Sequence, residues 1–176
     1  MSLKVNEIFY SIQGESLFAG LACTFIRLAG CNLRCSYCDT RYAYDAGAEM
    51  TIGEIIDRIA LYSCSLVEIT GGEPLVQPET LVLISQLIDR KFEVLLETNG
   101  TIDIGPVPSP CIRIMDVKCP SSGVSDQNKL ENLAKLGPLD QLKFVIGDLT
   151  DYRFAKMLLN RLDPAFPLRQ VLFSLS

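Results

Sequence analysis

The sequence predicts an α/β protein built as an incomplete, open (β/α) barrel of about six parallel strands with few crossover helices. Short runs of β-branched and large apolar residues alternate with stretches of helical periodicity, the rhythm of βα units. The mean hydropathy of +0.25 favours strands buried on both faces. Six such runs are too few to close an eight-stranded barrel. A doubly wound sheet shares this rhythm, and periodicity alone leaves it open. Both architectures place their sites at the C-terminal ends of the strands.

The predicted strands are Cys23–Leu28, Leu66–Thr70, Phe92–Glu97, Ile112–Val117, Gln141–Ile146 and Gln170–Phe173. A capping box, Thr51 with Glu54, opens a helix whose Ile52, Ile55, Ile56 and Ile59 form one stripe. A second helix begins near Pro78 and aligns Leu81, Ile84, Leu87 and Ile88. A third is predicted over Gln127–Leu136, and a fourth from Thr150 or Asp151, with Phe154, Met157 and Leu158 inward. Between the third and fourth strands, Pro106, Pro108 and Pro110 lack the N–H groups a packed helix needs, so one crossover helix is lost.

With 176 residues the chain is read as a single domain over residues 1–176. A net charge of -5 and the lack of a dense Lys/Arg patch predict no nucleic-acid partner. No apolar run is long enough for a membrane span and no signal-peptide pattern opens the chain, so a cytoplasmic protein is expected. Seven cysteines, an odd number, make a disulfide framework a poor explanation. The sequence has no histidine, which excludes imidazole bases, Ser/His/Asp triads and His-ligated metals.

The sharpest feature is Cys31-Asn32-Leu33-Arg34-Cys35-Ser36-Tyr37-Cys38, a CxxxCxxC loop after the first predicted strand. Three thiolates at this spacing can wrap one iron–sulfur cube and leave its fourth iron open to a small molecule. The competing reading is a structural zinc site completed by Cys23, Cys64 or Cys119. Core packing suits Cys23, Cys64 and Cys111 better than ligation. After the second predicted strand comes Thr70-Gly71-Gly72-Glu73-Pro74. Its glycines permit close backbone approach and predict N–H and C=O groups exposed to an amino-acid ligand; an ordinary turn reads equally well.

CxxxCxxC followed by GGEP resembles the radical S-adenosylmethionine superfamily. The resemblance implies that Cys31, Cys35 and Cys38 hold a 4Fe-4S cluster whose open iron chelates S-adenosylmethionine. One electron then cleaves that cofactor to a 5′-deoxyadenosyl radical, so the cofactor carries the chemistry and no side chain is named catalytic. It also implies cofactor contacts from Tyr37, Cys38 and Asp39, with Gly71, Gly72 and Glu73 shaping the methionine end.

Glu7-Ile8-Phe9-Tyr10-Ser11-Ile12-Gln13-Gly14-Glu15-Ser16, Phe25-Ile26-Arg27-Leu28-Ala29-Gly30-Cys31 and Cys38-Asp39-Thr40 narrow the likeness. With Glu97-Thr98-Asn99-Gly100, the Asp116–Gly123 segment and Leu142–Ile146, they resemble the 7-carboxy-7-deazaguanine synthase family. That family contracts 6-carboxy-5,6,7,8-tetrahydropterin to 7-carboxy-7-deazaguanine with loss of ammonia, for queuosine and related deazapurines. The resemblance implies that Ile12, Gln13, Gly14 and Glu15 frame the pterin, that Arg27 pairs with its carboxylate and that Thr70 approaches it. It places Mg²⁺ on Thr40, and Asp116, Lys118 and Ser121 beside the cofactor. An Arg fork matches a carboxylate, and Gln and Glu suit a pterin edge with donors and acceptors. The resemblance further implies a homodimer and an electron donor such as flavodoxin or ferredoxin; this sequence departs from the family at Leu172-Phe173-Ser174-Leu175-Ser176, where family members continue into a C-terminal segment that helps enclose substrate. The alternatives are a glycyl-radical-enzyme activase and a zinc-stabilised interaction domain.

Overall fold

The computed structural model describes residues 1–175. One eight-stranded sheet runs in the order β3-β1-β2-β4-β5-β6-β7-β8. Six of its strands are parallel neighbours: β2 (Ala22–Leu28), β4 (Leu66–Gly71), β5 (Glu93–Thr98), β6 (Ile112–Val117), β7 (Gln141–Ile146) and β8 (Val171–Leu175). These are the six predicted runs, within two residues at each end. The sheet stays open, with β3 at one edge and β8 at the other.

Two strands were not predicted, β1 (Ser2–Ile12) and β3 (Ala48–Thr51), and both pair antiparallel. In β1, buried Leu3 and Val5 alternate with Ser2, Lys4 and Asn6, a period-2 signal that weakens after Asn6. Strand β3 has four residues and shares Thr51 with the following helix cap, so no pattern marks it.

Helix α1 (Ile52–Ala60) carries both arms of the capping box, with Glu54 N–H donating to Thr51 Oγ1 at 3.2 Å. Its four isoleucines are buried, each worth about 1.5–3 kcal/mol against exposure. Helix α2 (Thr80–Asp89) buries Leu83, Ile84 and Leu87, and α3 (Leu149–Leu159) starts from an Asp148 cap and buries Ala155 and Leu158. No helix joins β5 to β6, as the three prolines require. No helix among the described residues is long and apolar enough to cross a membrane.

The helix predicted over Gln127–Leu136 is replaced by two short 3₁₀ turns, Ser125–Gln127 and Leu130–Lys135. Asn132 explains the loss. Its buried amide donates to Gly100 O at 2.9 Å and Ile102 O at 2.7 Å and accepts from Ile104 N–H at 3.3 Å. The segment is thereby tied to the proline-rich link, whose backbone has no ladder of its own.

Strand alternation sorts the side chains into two layers. One face, with Ile26, Leu28, Val67, Ile69, Leu96, Met115 and Phe144, packs against the helices. The opposite face begins with Cys23, Phe25, Leu66, Leu95 and Ile114, a separate apolar cluster. Two residues further along these strands the same face turns polar, which creates the site.

Candidate active site

A cavity of about 500 Å³ opens at the C-terminal strand ends, within the range that holds small organic ligands. Its walls are the loop after β1, the cysteine loop and the ends of β2, β4, β5, β6 and β7. Ile12, Gln13, Gly14, Glu15, Arg27, Cys31, Cys35, Tyr37, Cys38, Asp39, Thr40, Thr70, Gly71, Gly72, Asp116 and Lys118 all line it. Two predicted residues, Glu73 and Ser121, do not.

Glu73 is fully buried, and its carboxylate accepts from Asn99 N–H at 2.6 Å, Thr98 Oγ1 at 2.9 Å and Leu75 N–H at 3.0 Å. It supports the cavity wall by tying the end of β4 to the end of β5. Ser121 turns its hydroxyl onto the Asp151 carboxylate, which also accepts its N–H at 2.9 Å. Its carbonyl accepts from Ser36 Oγ at 2.6 Å, so it braces the cysteine loop from behind.

At the paired glycines, two of the N–H groups are used within the fold. Gly72 N–H donates to Leu28 O at 3.2 Å and Glu73 N–H to Gly30 O at 2.8 Å, leaving neither donor free for a ligand. A Cβ on Gly71, whose φ is +142°, would lie 2.1 Å from Leu28 O, and one on Gly72 would lie 2.1 Å from Gly30 O. These glycines let the end of β4 touch the backbone that launches the cysteine loop.

Within that loop Leu33 is buried as the anchor, and Arg34 Nη1 donates to Cys31 O at 2.8 Å while stacking 4.1 Å over the Tyr44 ring. Arg41 Nη2 donates to Ser36 O at 2.6 Å, and Ser36 N–H donates to Ser122 O at 2.9 Å. The half-buried Cys31 and Cys35 thiols are held above the ordinary range by burial, and the neighbouring cluster-loop thiolates add to the shift. Among the described residues no three His, Cys, Asp or Glu side chains converge as ligands of a single ion.

The floor carries residues that the motif reading missed: Glu68, Glu97 and Lys143. Lys143 Nζ donates to Glu97 Oε1 at 2.9 Å and also bonds the Glu15 carboxylate. Burial works against the Lys143 charge, but Glu97 and its neighbours more than offset this and raise its pKa. Burial likewise pushes Glu97 upward, yet the Lys143 charge and hydrogen bond leave it below the ordinary value. Thr70 Oγ1 donates to the other Glu97 oxygen at 3.2 Å. Beside them, Lys118 Nζ lies 2.8 Å from Asp116 Oδ2. Charged residues in the middle of otherwise apolar strands were the available signal.

Arg27 joins both of its readings. Its Nε donates to Glu7 Oε1 at 2.8 Å, with the guanidinium near the rings of Phe9 and Tyr42, 5.7 Å and 5.8 Å from their centroids. Its Nη1 and Nη2 have no partner among the described residues, and Arg27 lines the cavity. The salt bridge therefore aims a free pair of donors at the ligand space. Arg27→Lys keeps the charge and loses the fork. The expected result is a ten- to hundredfold loss of affinity for a carboxylated substrate, about 1.4–2.7 kcal/mol, read from the KM. An unchanged KM would reduce Arg27 to its bond with Glu7.

A family model for the Radical SAM superfamily matches residues 25–149. A 7-carboxy-7-deazaguanine synthase from Koribacter versatilis is 44% identical over 156 residues, covering 88% of this chain and 69% of the relative. One from Chlorobaculum tepidum is 48% identical over 157 residues, covering 88% of this chain and 71% of the relative. The chain belongs to the 7-carboxy-7-deazaguanine synthase family.

The chain thus spans about 70% of the length of these two family members. The crystal structure of QueE from Escherichia coli shares the fold, with a TM-score of 0.86 at 22% identity, covering 100% of this chain and 85% of that one. Family membership brings a 4Fe-4S cluster, S-adenosylmethionine and Mg²⁺, and the residues present fit them. Three thiols face one cavity, the donor set a cube with one open iron requires. Tyr37 Oη and Asp116 Oδ1 are buried without partners, so the wall carries polar atoms ready for a polar ligand. Thr40 offers a hydroxyl oxygen next to Asp39, its Oγ1 lying 3.2 Å from Asp39 Oδ1, a hard donor suited to Mg²⁺ that also takes water and substrate ligands.

Proposed function

We infer that the protein is a 7-carboxy-7-deazaguanine synthase, converting 6-carboxy-5,6,7,8-tetrahydropterin to 7-carboxy-7-deazaguanine with loss of ammonia in queuosine and deazapurine biosynthesis. One observation carries this reading: a single cavity has the three cluster cysteines on one wall and the free Arg27 fork and the Gln13, Glu15, Glu97 and Lys143 network around its floor. In this reading Cys31, Cys35 and Cys38 hold the cluster, and Tyr37, Asp39, Asp116 and Lys118 border S-adenosylmethionine. Bound together, these cofactors supply the radical chemistry. The chain's own residues orient the ring: Arg27 takes the carboxylate, and Gln13, Glu15 and Thr70 frame the heterocycle. Holding the reacting carbon against the cofactor is the protein's main contribution to rate.

The cavity is enclosed on several sides and polar at its floor, which suits a small heterocycle better than the peptide groove a glycyl-radical activase needs. We further propose a single-domain, cytoplasmic, homodimeric enzyme reduced by a flavodoxin or ferredoxin. Anaerobic reconstitution followed by incubation with the carboxypterin, S-adenosylmethionine and a reductant tests the reading. Deazapurine product supports it; cofactor cleavage without product overturns the assigned substrate.

Thr40 is the proposed magnesium ligand. Thr40→Val keeps the shape and removes the oxygen donor, so the variant should retain its iron while losing most of the Mg²⁺ stimulation of product formation. An undiminished metal response removes Thr40 from the metal site.

A further inference from the structure

The charged groups of the cavity floor pair off, with one exception. Arg27 from β2 bonds Glu7, Lys143 from β7 bonds both Glu97 from β5 and Glu15 from the loop after β1, and Lys118 bonds Asp116 on β6. Glu68, on β4 and 3% exposed, has no cation of its own among the described residues. Its Oε2 accepts from Gln13 Nε2, a contact between two buried side chains. Its Oε1 has no hydrogen-bond partner among the described residues and is not sealed from the cavity that Glu68 lines.

This contact sets the direction of Gln13. The amide oxygen of Gln13 accepts from Glu15 N–H at 2.8 Å, while its nitrogen faces the Glu68 carboxyl. Turning the amide over would set Nε2 against the Glu15 N–H, donor against donor. Glu68 and Glu15 therefore hold Gln13 in one orientation.

We propose that Glu68 is a further substrate-positioning residue: Oε2 orients Gln13, and Oε1 carries a proton that is donated to an acceptor on the edge of the bound heterocycle. The proposal rests on the carboxypterin reading above. A carboxyl group without a cation, beside the Phe25 ring and two other carboxylates, is held neutral by its surroundings. Burial first, and the Glu97 charge second, push the Glu68 carboxyl up to about 9, against the opposing pull of Lys143 and Arg27. A neutral acid both accepts from Gln13 and donates to a ring nitrogen or carbonyl, which an ionised one cannot do.

The test measures binding of 6-carboxypterin, an oxidised and unreactive relative of the substrate, to the reconstituted holoenzyme by calorimetry between pH 7 and pH 10. Glu68→Gln keeps an acceptor for Gln13 and a donor for the ring and cannot ionise. Its affinity at pH 7 should stay within about threefold of the parent, whereas Glu68→Leu should lose about tenfold. Ionisation of Glu68 removes the donor, so the parent should weaken relative to Glu68→Gln by about tenfold as pH rises through the Glu68 titration. Comparing the two proteins cancels the ligand's own titration. An affinity ratio that stays constant with pH overturns the role of Glu68 while the carboxypterin reading stands. A parent that binds no carboxypterin at any pH overturns both. Should Glu68→Leu not fold, the pH dependence of the Glu68→Gln ratio decides alone.

Discussion

Replacing Cys31, Cys35 or Cys38 by Ala, one at a time, is expected to remove the iron–sulfur chromophore and abolish cleavage of S-adenosylmethionine. Each thiolate would hold its own iron of one cube, so two remaining ligands leave a second iron without protein support. The control is Cys64, whose thiol donates to Ala22 O at 3.3 Å and Leu66 O at 3.4 Å, at the strand ends opposite the cavity. Cys64→Ala should keep about four irons per chain. The buried Cys23, Cys111 and Cys119 thiols, pushed up to about 12 chiefly by burial, belong to the inert class as well. The metal-free variants carry a second expectation. The loop is anchored chiefly by the buried Leu33 side chain, by Arg34 on Tyr44 and by Ser36 on Ser122; the cysteine side chains add only weak bonds, such as Cys31 Sγ accepting from Leu33 N–H at 3.4 Å. Thermal stability of the metal-free protein should therefore move by less than about 1 kcal/mol. Equal loss of iron in Cys64→Ala would count against the assignment of the three ligands.

The six parallel strands are legible in the sequence because each is a short run whose apolar residues serve two buried faces. The three α-helices are legible for similar reasons: Thr51 and Glu54 mark one start and the isoleucine stripe its inner face. Legibility ends where long-range hydrogen bonds overrule local pattern. Residues 127–136 read as a helix, but Asn132 is recruited by the backbone of residues 100–104. The site shows the same division. The cysteine spacing, and the family likeness for Gln13, Glu15 and Arg27, pick out without any structure residues that line one cavity. Glu73 and Ser121 sit in the right motifs, yet the direction of a side chain depends on partners such as Asn99 and Asp151, which no local spacing reveals. Conversely, Glu97 and Lys143 lie in segments that carry the family likeness, yet neither they nor Glu68 stand out from the sequence as site residues. They become a site only when strand alternation places them above the apolar cluster of Cys23, Phe25, Leu66, Leu95 and Ile114.

Lys143→Met is expected to have the largest effect outside the cluster loop, because it leaves Glu97 and Glu15 without the cation that holds them together near Glu68. The Lys143 side chain is 9% exposed against 26% for Glu97 and 57% for Glu15, so the pair is buried on one side only. Breaking a fully buried pair is worth about 3–5 kcal/mol, and the partial exposure of the acids favours the lower end. About 3 kcal/mol in a chain of this size lowers Tm by roughly 6–12 °C. The pH dependence separates this cause from lost packing. In the parent, Glu97 is held below its ordinary range, so its contribution is present at neutral pH and fades as pH falls through that range. Lys143 is held above its ordinary value, so its contribution is complete below that value and is lost only at strongly alkaline pH. Without Lys143, burial is opposed by the more weakly acting Lys118 charge and Thr70 hydrogen bond, so Glu97 rises and the variant recovers as acid protonates the carboxyl. The Tm gap between parent and variant should therefore narrow from pH 8 to pH 5. Adding Glu97→Gln removes the stranded charge and should restore a large part of the lost stability, a coupling that a double-mutant cycle measures. Product formation should fall by about 100-fold, roughly 2.7 kcal/mol, since Glu15 and Thr70 lose the network that orients them, and Glu97→Gln should not restore it. A Tm gap that is constant with pH, together with no rescue by Glu97→Gln, would mean that Lys143 contributes through packing of its methylene stem and that the floor is not an electrostatic unit.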